Sequence, residues 1–533
     1  MKMILLTIIQ ICFIVLGCVT IWYGMRYNIH MFQQNSYKNR VQIKWLRENF
    51  SRQRFLLIDI LPLLLVSFLG AYISAMIFVV LFSTLVATGY ALLKKNNTKK
   101  KLVFTKRVKR LIACDLFLNI AVLAAVGIFT GRAAGLNTAL RAVSAAIILL
   151  TILQPLVPVL ANVIMKPVEK HINNSFINEA KRMLAQNPGI KVIGVTGSYG
   201  KTSLKFFLKE LLSEKFNVLA TPESFNTPMG VVRTIREGLK PTHEIFICEM
   251  GARNVGDIKE ICDIVNPSHG VITSVGPQHL ESFKTIDNVR KTKFELARAL
   301  PPGGKLFING DSPEARKEEG DFNRIYYGVD SKDGYYAKDI RLTSLGTDFT
   351  VVTPDGETEE FHMRLIGSVN VLNVLGAIAV AHSFGTGLSE LKVPVRRLLP
   401  VSHRLELREN GLYTIIDDAY NSNPVGSKAA VETLKQFEGV RILITPGMVE
   451  LGEREDELHY KFGTYASDCC DYILLVNRYR TKEIKRGALE SGFPEDRLFE
   501  FDKFTEAMDF ACTKIKDEGH RFILLENDLP DNY

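Results

Sequence analysis

The chain changes character about a third of the way along. Up to about residue 165 the apolar positions come in nearly unbroken runs; beyond it they fall into the short strand and helix periods of α/β domains. Residues 3–24 are an apolar run of the ~20 residues that cross a bilayer, read as a retained anchor because no cleavage site follows. Residues 55–93 are too long for one crossing: as a single helix they would reach about 58 Å, nearly twice the ~30 Å hydrocarbon thickness. A break near Gly70 divides them into 55–71 and 73–93. Two further stretches, 111–131 and 138–162, are separated by the short segment GRAAGLN. The pattern predicts a helical membrane region over 1–165 with five transmembrane helices.

After a helical linker at 167–186 the period shortens. KVIGVTGSYGKTSLKFFLKELL (191–212) reads as strand, glycine turn and amphipathic helix. Strands near 191–195, 244–248 and 270–275 define a P-loop domain over 171–395. Strands near 412–417, 440–445, 472–476 and 521–525, alternating with helices, define a Rossmann-like domain over 396–533. The expected class is therefore α/β, preceded by a multi-span helical region.

A length of 533 residues suits two to four domains. The net charge of +9 is concentrated: residues 25–54 carry seven Lys/Arg and residues 94–110 carry nine. Basic loops stay cytoplasmic, so the N-terminus is expected outside a plasma membrane and everything after Met165 in the cytoplasm, with membrane lipids as partners. No basic stripe interleaved with aromatics suggests nucleic acid. Asp59 and Asp115, near span ends, read as interfacial carboxylates. The eight cysteines lack CxxC spacing, which indicates neither a zinc site nor a disulfide framework.

The chemistry starts at TGSYGKTS, which contributes Thr196, Gly197, Ser198, Gly200, Lys201, Thr202 and Ser203. Its glycines allow close backbone approach, and the amides at the helix start would face anionic oxygens. Lys201 would neutralise the outer phosphates of ATP, and the Thr202 hydroxyl would hold Mg²⁺. Val195 stands at the first glycine position of the common GxxxxGK pattern. Glu249, ending the apolar strand HEIFICE, is placed as a second Mg²⁺ ligand. His279, in VGPQHLE, is a candidate to coordinate another Mg²⁺ or to position an acceptor.

TGSYGKTS resembles the phosphate loop of the Mur ligases, and six further strings extend that resemblance over about residues 190–465. FNTPMGV (225–231), VGPQHLE with KTKFEL (275–296), GSVNVLNVLGAIAVA (367–381), HRLEL (403–407), DDAYNSNP (417–424) and PGMVELGE (446–453) are similar to the MurF branch. The resemblance implies an ATP- and Mg²⁺-dependent ligase with a central ATP-binding domain and a C-terminal Rossmann-like domain. An acceptor carboxylate takes the γ-phosphate of ATP to form an acyl phosphate, and an amine then displaces phosphate to give an amide. It also implies carbamylation of Lys293 into a metal ligand, adenine contacts from Asn370 and Asn373, phosphate contact by Arg404 and ribose contact by Asp418. Lys201, Lys293, His279 and Arg404 then form the catalytic set, with Thr202, Glu249, His279 and Lys293 around metal.

Three departures from the family pattern stand out, the first and last of which bear on the substrate. Membrane helices stand where the family carries a domain for a UDP-muramoyl acceptor, Val369 replaces a histidine, and HRFILLENDLPDNY lacks the family's KGSR-like ending. The acceptor is accordingly expected to be a UDP-linked or lipid-linked peptide of cell-wall synthesis. The donor is expected to be an amino acid or a dipeptide such as D-alanyl-D-alanine. Two other readings are a membrane-associated ligase for another amide polymer such as polyglutamate, which the MurF-like strings disfavour, and a nucleotide-binding scaffold without catalysis, which the intact polar set disfavours.

Overall fold

The computed structural model describes residues 2–49, 101–343, 346–420, 422–449 and 451–527. They divide into one unit within Met1–Asn174 and another over Ser175–Leu529. The spans expected at 55–71 and 73–93 lie outside the described residues.

In the first unit the apolar run at 3–24 belongs to a longer helix, Lys2–Gln34. Met25, Ile29 and Phe32, beyond the expected span, are buried with Val108, Leu111 and Ala161. The 111–131 stretch lies in helix Lys106–Ala134, whose first turn is capped by the Thr105 hydroxyl accepting from the Val108 amide. Gly135, at φ +79°, ends it and starts helix Leu136–Leu153. These two helices are long and apolar enough, by length and composition, to cross a membrane. The stretch at 138–162 is not one helix: it breaks over 154–156, and a second helix, Val157–Ala185, absorbs its end together with the linker. Pro155 stands in the break and has no amide hydrogen to continue the helix's bonding. Asp115 is buried against neighbouring helices; its Oδ1 accepts from Asn119 Nδ2 at 2.8 Å and Gln154 Nε2 at 3.1 Å.

The second unit contains two sheets. The first comprises β1 (Lys191–Thr196), β2 (Val218–Ala220), β3 (Ile245–Glu249), β4 (His269–Ile272), β5 (Lys305–Asn309), β6 (Asn323–Gly328), β7 (Tyr335–Thr343), β8 (Gly346–Val352) and β9 (Thr358–Met363). Their order is β2-β3-β1-β4-β5-β6-β7-β8-β9, parallel from β2 to β7 and antiparallel from β7 to β9. The central strands read as unbroken apolar runs because both faces are covered. One face packs on Leu204, Phe207 and Leu211 of helix Lys201–Leu212 and on Val374, Ile378 and Ala381 of helix Ser368–Ser383. The other packs on Val231 and Ile235, Ile258 and Ile261, and Leu296. β4 ends at Ile272, three residues before the expected end, so His279 follows a loop rather than the strand itself.

The second sheet comprises β10 (Glu406–Asn410), β11 (Tyr413–Asp418), β12 (Val440–Thr445), β13 (Tyr472–Val476), β14 (Leu498–Phe501) and β15 (Arg521–Glu526), in the order β10-β11-β15-β12-β13-β14. All but β10 are parallel. The chain steps from β11 over β15 to β12, runs outward to β14 and returns to β15. Helices Pro424–Leu434, Glu455–Ser467 and Lys482–Glu490 therefore cover one face, and Phe504–Thr513 covers the other.

Candidate active site

The loop between β1 and helix Lys201–Leu212 is built on backbone that only glycine adopts easily. Gly197 has φ +152° and a Cβ there would collide with the Thr273 hydroxyl; Gly200 is left-handed at φ +81°, and a Cβ there would lie 2.5 Å from Asn373 Oδ1. Two loop hydroxyls hold this shape: Thr196 Oγ1 donates to the Met250 carbonyl at 2.9 Å, and Ser198 Oγ donates to the Gly276 carbonyl at 3.0 Å. Ser203 is buried in the first turn of the helix. Lys201 folds over the turn, its Nζ donating to the carbonyls of Gly197 at 2.6 Å and Ser198 at 3.1 Å. Burial pushes this ammonium down to about 8, with Glu249 opposing the shift and Arg404 adding to it.

β3 lies beside β1, with Val195 in register with Glu249, so the acid stands level with the start of the loop. Thr202 Oγ1 donates to Glu249 Oε1 at 3.1 Å, which brings together the two oxygen groups read as metal ligands. Two residues unnoticed in the sequence complete the arrangement. Asn226 Nδ2 donates to the same oxygen at 2.9 Å, and Lys205 Nζ forms a fully buried ion pair with Glu249 Oε2 at 3.0 Å. Asn226 lies within FNTPMGV, so a polar residue in a motif was the available signal. Lys205 lies one helical turn beyond Lys201, a spacing that places both on one face. A hydroxyl and an oriented carboxylate are hard oxygen donors that fit Mg²⁺.

Lys293 ends helix Ile286–Lys293 and is buried. Burial, joined by the charge of Lys201, holds its amine well below the ordinary lysine range, against the pull of Asp257 and Glu295. His279, at φ +52°, precedes the short helix Leu280–Phe283, and its carbonyl accepts the Ser282 and Phe283 amides. Asn370 and Asn373 share a face of helix Ser368–Ser383 but do different things. Asn373 abuts Gly200, whereas Asn370 Nδ2 donates to the Ile366 carbonyl at 2.8 Å.

The second sheet brings Arg404 to the loop. Its guanidinium lies 4.7 Å from the centroid of the Tyr420 ring, and the Tyr420 hydroxyl donates to Ser224 Oγ at 2.7 Å in the connection between β2 and β3. Arg404 acts electrostatically on Lys201 on one side and on Asp418 and Glu526 on the other. Asp418 Oδ1 accepts the Leu405 amide at 3.2 Å, and Asp418 stands in register with Glu526 of β15, a residue the motifs did not single out.

The profile of the Mur ligase middle domain matches residues 195–381, and that of the Mur ligase glutamate ligase domain matches residues 403–525. The UDP-N-acetylmuramoyl-tripeptide--D-alanyl-D-alanine ligase of Bacillus subtilis (strain 168) is 30% identical over 62% of this chain and 72% of its own length. The enzyme of the same name from Escherichia coli (strain K12) is 31% identical over 56% and 67%. The crystal structure of MurF from Acinetobacter baumannii superposes with a TM-score of 0.59 at 25% identity, covering 67% of this chain and 77% of that one. MurF ligase from Thermotoga maritima, solved with ADP, shares the fold at a TM-score of 0.60 and 24% identity, covering 68% and 81%. With a glycine loop carrying Lys201, an acid poised against Thr202, an arginine arriving from the second sheet and relatives matched across both sheets, the chain belongs to the Mur ligase family.

Proposed function

We propose that this chain is an ATP-dependent ligase that forms a peptide bond in peptidoglycan precursor synthesis, through an acyl phosphate. The observation that carries this reading is the convergence of Lys201, Thr202 and Glu249 from the first sheet with Arg404 from the second. Joining a carboxylate to ATP brings two anions together, so charge compensation and orientation are the main demands on the protein. Lys201 and Arg404 supply the first, and the loop amides supply the second. Thr202 and Glu249 would hold Mg²⁺, which would supply positive charge against the charge developing on the phosphate. His279 and Lys293 are proposed to complete the metal surroundings. Burial shifts the Lys293 amine toward its neutral form, the form that adds CO₂, which supports its carbamylation. Asn370 and Asn373 are proposed on the nucleotide side and Asp418 near the ribose.

The acceptor proposed is a muramoyl tripeptide, UDP-linked as the relatives' names state or lipid-linked, and the donor is D-alanyl-D-alanine. The apolar helices of the first unit support a multi-pass plasma-membrane location with both catalytic domains in the cytoplasm. Confinement to the bilayer would raise the effective concentration of a lipid-linked acceptor. The test is ADP release by the full chain with ATP, UDP-N-acetylmuramoyl-tripeptide and D-alanyl-D-alanine, with the product identified by mass spectrometry. Release is expected to require both substrates and to vanish in Lys201→Ala; ligation retained by that variant would remove the reading. A fragment 175–533 that used the soluble acceptor as well as the full chain uses any acceptor would remove the membrane-presented one.

A further inference from the structure

The first unit holds a polar cluster that ligase chemistry leaves unused. Asp115 and Gln154 have no exposed surface, and Asn119 keeps 3%. Asn119 Nδ2 donates to the Asp115 carbonyl and to its Oδ1, both at 2.8 Å, and Gln154 Nε2 donates to the same Oδ1 at 3.1 Å. The other oxygen of each group is left over: Asp115 Oδ2, Asn119 Oδ1 and Gln154 Oε1 are buried acceptors without a donor among the described residues. Protein interiors hold few such atoms, and three on directly bonded side chains call for an occupant.

The backbone around them adds to the same chemistry. Gln154 stands where helix Leu136–Leu153 ends, at the negative end of its dipole. Pro155 has no amide hydrogen for the Thr151 carbonyl, and the Leu156 amide donates to the Leu153 carbonyl at 2.8 Å. Helix Lys2–Gln34 packs on Gln154, since a Cβ on Gly24 would lie 3.2 Å from Gln154 Cγ. One turn on, Asn28 Nδ2 donates to the Gly24 carbonyl at 2.8 Å, and its Oδ1 is a fourth buried acceptor without a donor. The basic residue closest to Asp115 along its helix, Arg110, is engaged by Glu169 through two bonds at 2.7 and 2.9 Å.

The occupant must match three acceptors and one negative charge. A proton on Asp115 would join Oδ2 to one amide oxygen and leave the other bare. A buried water would bring two hydrogens and leave the carboxylate's charge unmatched. A divalent ion would exceed a single carboxylate and leave positive charge in the interior. A monovalent ion meets all three oxygens and the charge, and a broken helix with its carbonyl end turned to the site is a setting in which apolar helices hold alkali ions. We propose that Asp115 Oδ2, Asn119 Oδ1 and Gln154 Oε1 bind one alkali cation stripped of water, which ties helix Lys106–Ala134 to the end of helix Leu136–Leu153.

Both tryptophans of the chain, Trp22 and Trp45, belong to the first unit, so their fluorescence follows its unfolding. The full chain in detergent micelles is melted in sodium, potassium or choline chloride at one ionic strength and one pH. The wild type is expected to melt about 5 °C higher in saturating sodium or potassium than in choline, with a rise that levels off as the site fills. A rise in one alkali salt alone would identify the ion. Asp115→Asn keeps the side chain's shape without its charge; it is expected to melt in choline at or above the wild-type temperature and to lose the alkali-dependent rise. Gln154→Met, which keeps the length without the oxygen, is expected to need about tenfold more cation for half the rise. Equal melting of the wild type in all three salts would leave the acceptors to a proton or water and overturn the proposal. An undiminished rise in Asp115→Asn would overturn it as well, by placing the ion elsewhere.

Discussion

At the scale of single residues, the site is a small set of charges taken out of water, and their titration follows. Lys201 loses its proton near pH 8 in the protein but at about 10.5 when unfolded, so between these values the unfolded chain binds more protons. Stability contributed by this group therefore rises as pH climbs through that window, the reverse of a lysine that gains a partner. Phosphate binding requires the charged form, so ATP affinity is expected to fall about tenfold per pH unit above 8. Calorimetric titration should show proton uptake on binding, and Lys201→Arg should flatten the slope. A wild-type affinity flat from pH 7 to 10 would contradict this assignment. Lys205 is different, because its charge is bound to Glu249 in the core. Breaking a buried pair leaves an unmatched carboxylate at a cost of about 3–5 kcal/mol, so Lys205→Met should lower the unfolding temperature and weaken Mg²⁺-dependent ATP binding together. Intact stability would show that the pair is not held as the distances indicate.

At the scale of elements, the sequence was informative where period and turn chemistry coincide and silent where contact alone decides. β1, β3 and β12 are apolar runs bounded by turns, and TGSYGKTS carries its own geometry in two glycines. β7–β9 intersperse Thr, Asp and Glu among their apolar residues, and as an antiparallel edge they gave no run to read. The Lys205–Glu249 pair spans 44 residues and depends on the register of β1 against β3, which no local pattern contains. Asp418 was legible through DDAYNSNP, whereas Glu526, 108 positions later in register beside it, lay in a tail that resembled nothing. The second sheet's cover hides a similar device: Gly463 and Gly487 let helices Glu455–Ser467 and Lys482–Glu490 touch backbone to backbone. A Cβ at Gly463 would collide with the Ile484 carbonyl and one at Gly487 with the Tyr460 carbonyl. Both obstacles are main chain, so a helix must move. Gly463→Ala is expected to destabilise by about 1–3 kcal/mol despite its better helix propensity. A denaturant melt showing equal or greater stability would mean that the helices separate freely.

At the scale of the whole molecule, the open question is what the apolar helices of the first unit do, and their surface chemistry supports one answer. Helix Lys106–Ala134 leaves Phe117, Ile120, Ile128 and Phe129 exposed, and Leu136–Leu153 leaves Leu136 and Leu149 exposed. Water would penalise these side chains by roughly 1.5–3 kcal/mol each relative to burial, a cost that a lipid environment removes. The shorter helix, at 18 residues, rises about 27 Å, close to the hydrocarbon thickness. Gly135 ends the first helix and starts the second, and the basic residues that precede the pair in the sequence are expected to be retained in the cytoplasm. Washing membranes with alkaline carbonate strips proteins held by charge but leaves spanning helices in the bilayer. The full chain and its Lys201→Ala variant are both expected to stay with the membrane pellet, and a protease added to the outer face is expected to leave residues 175–527 intact. Release into the wash would show that these helices pack against protein rather than lipid, and the acceptor would then reach the site from solution.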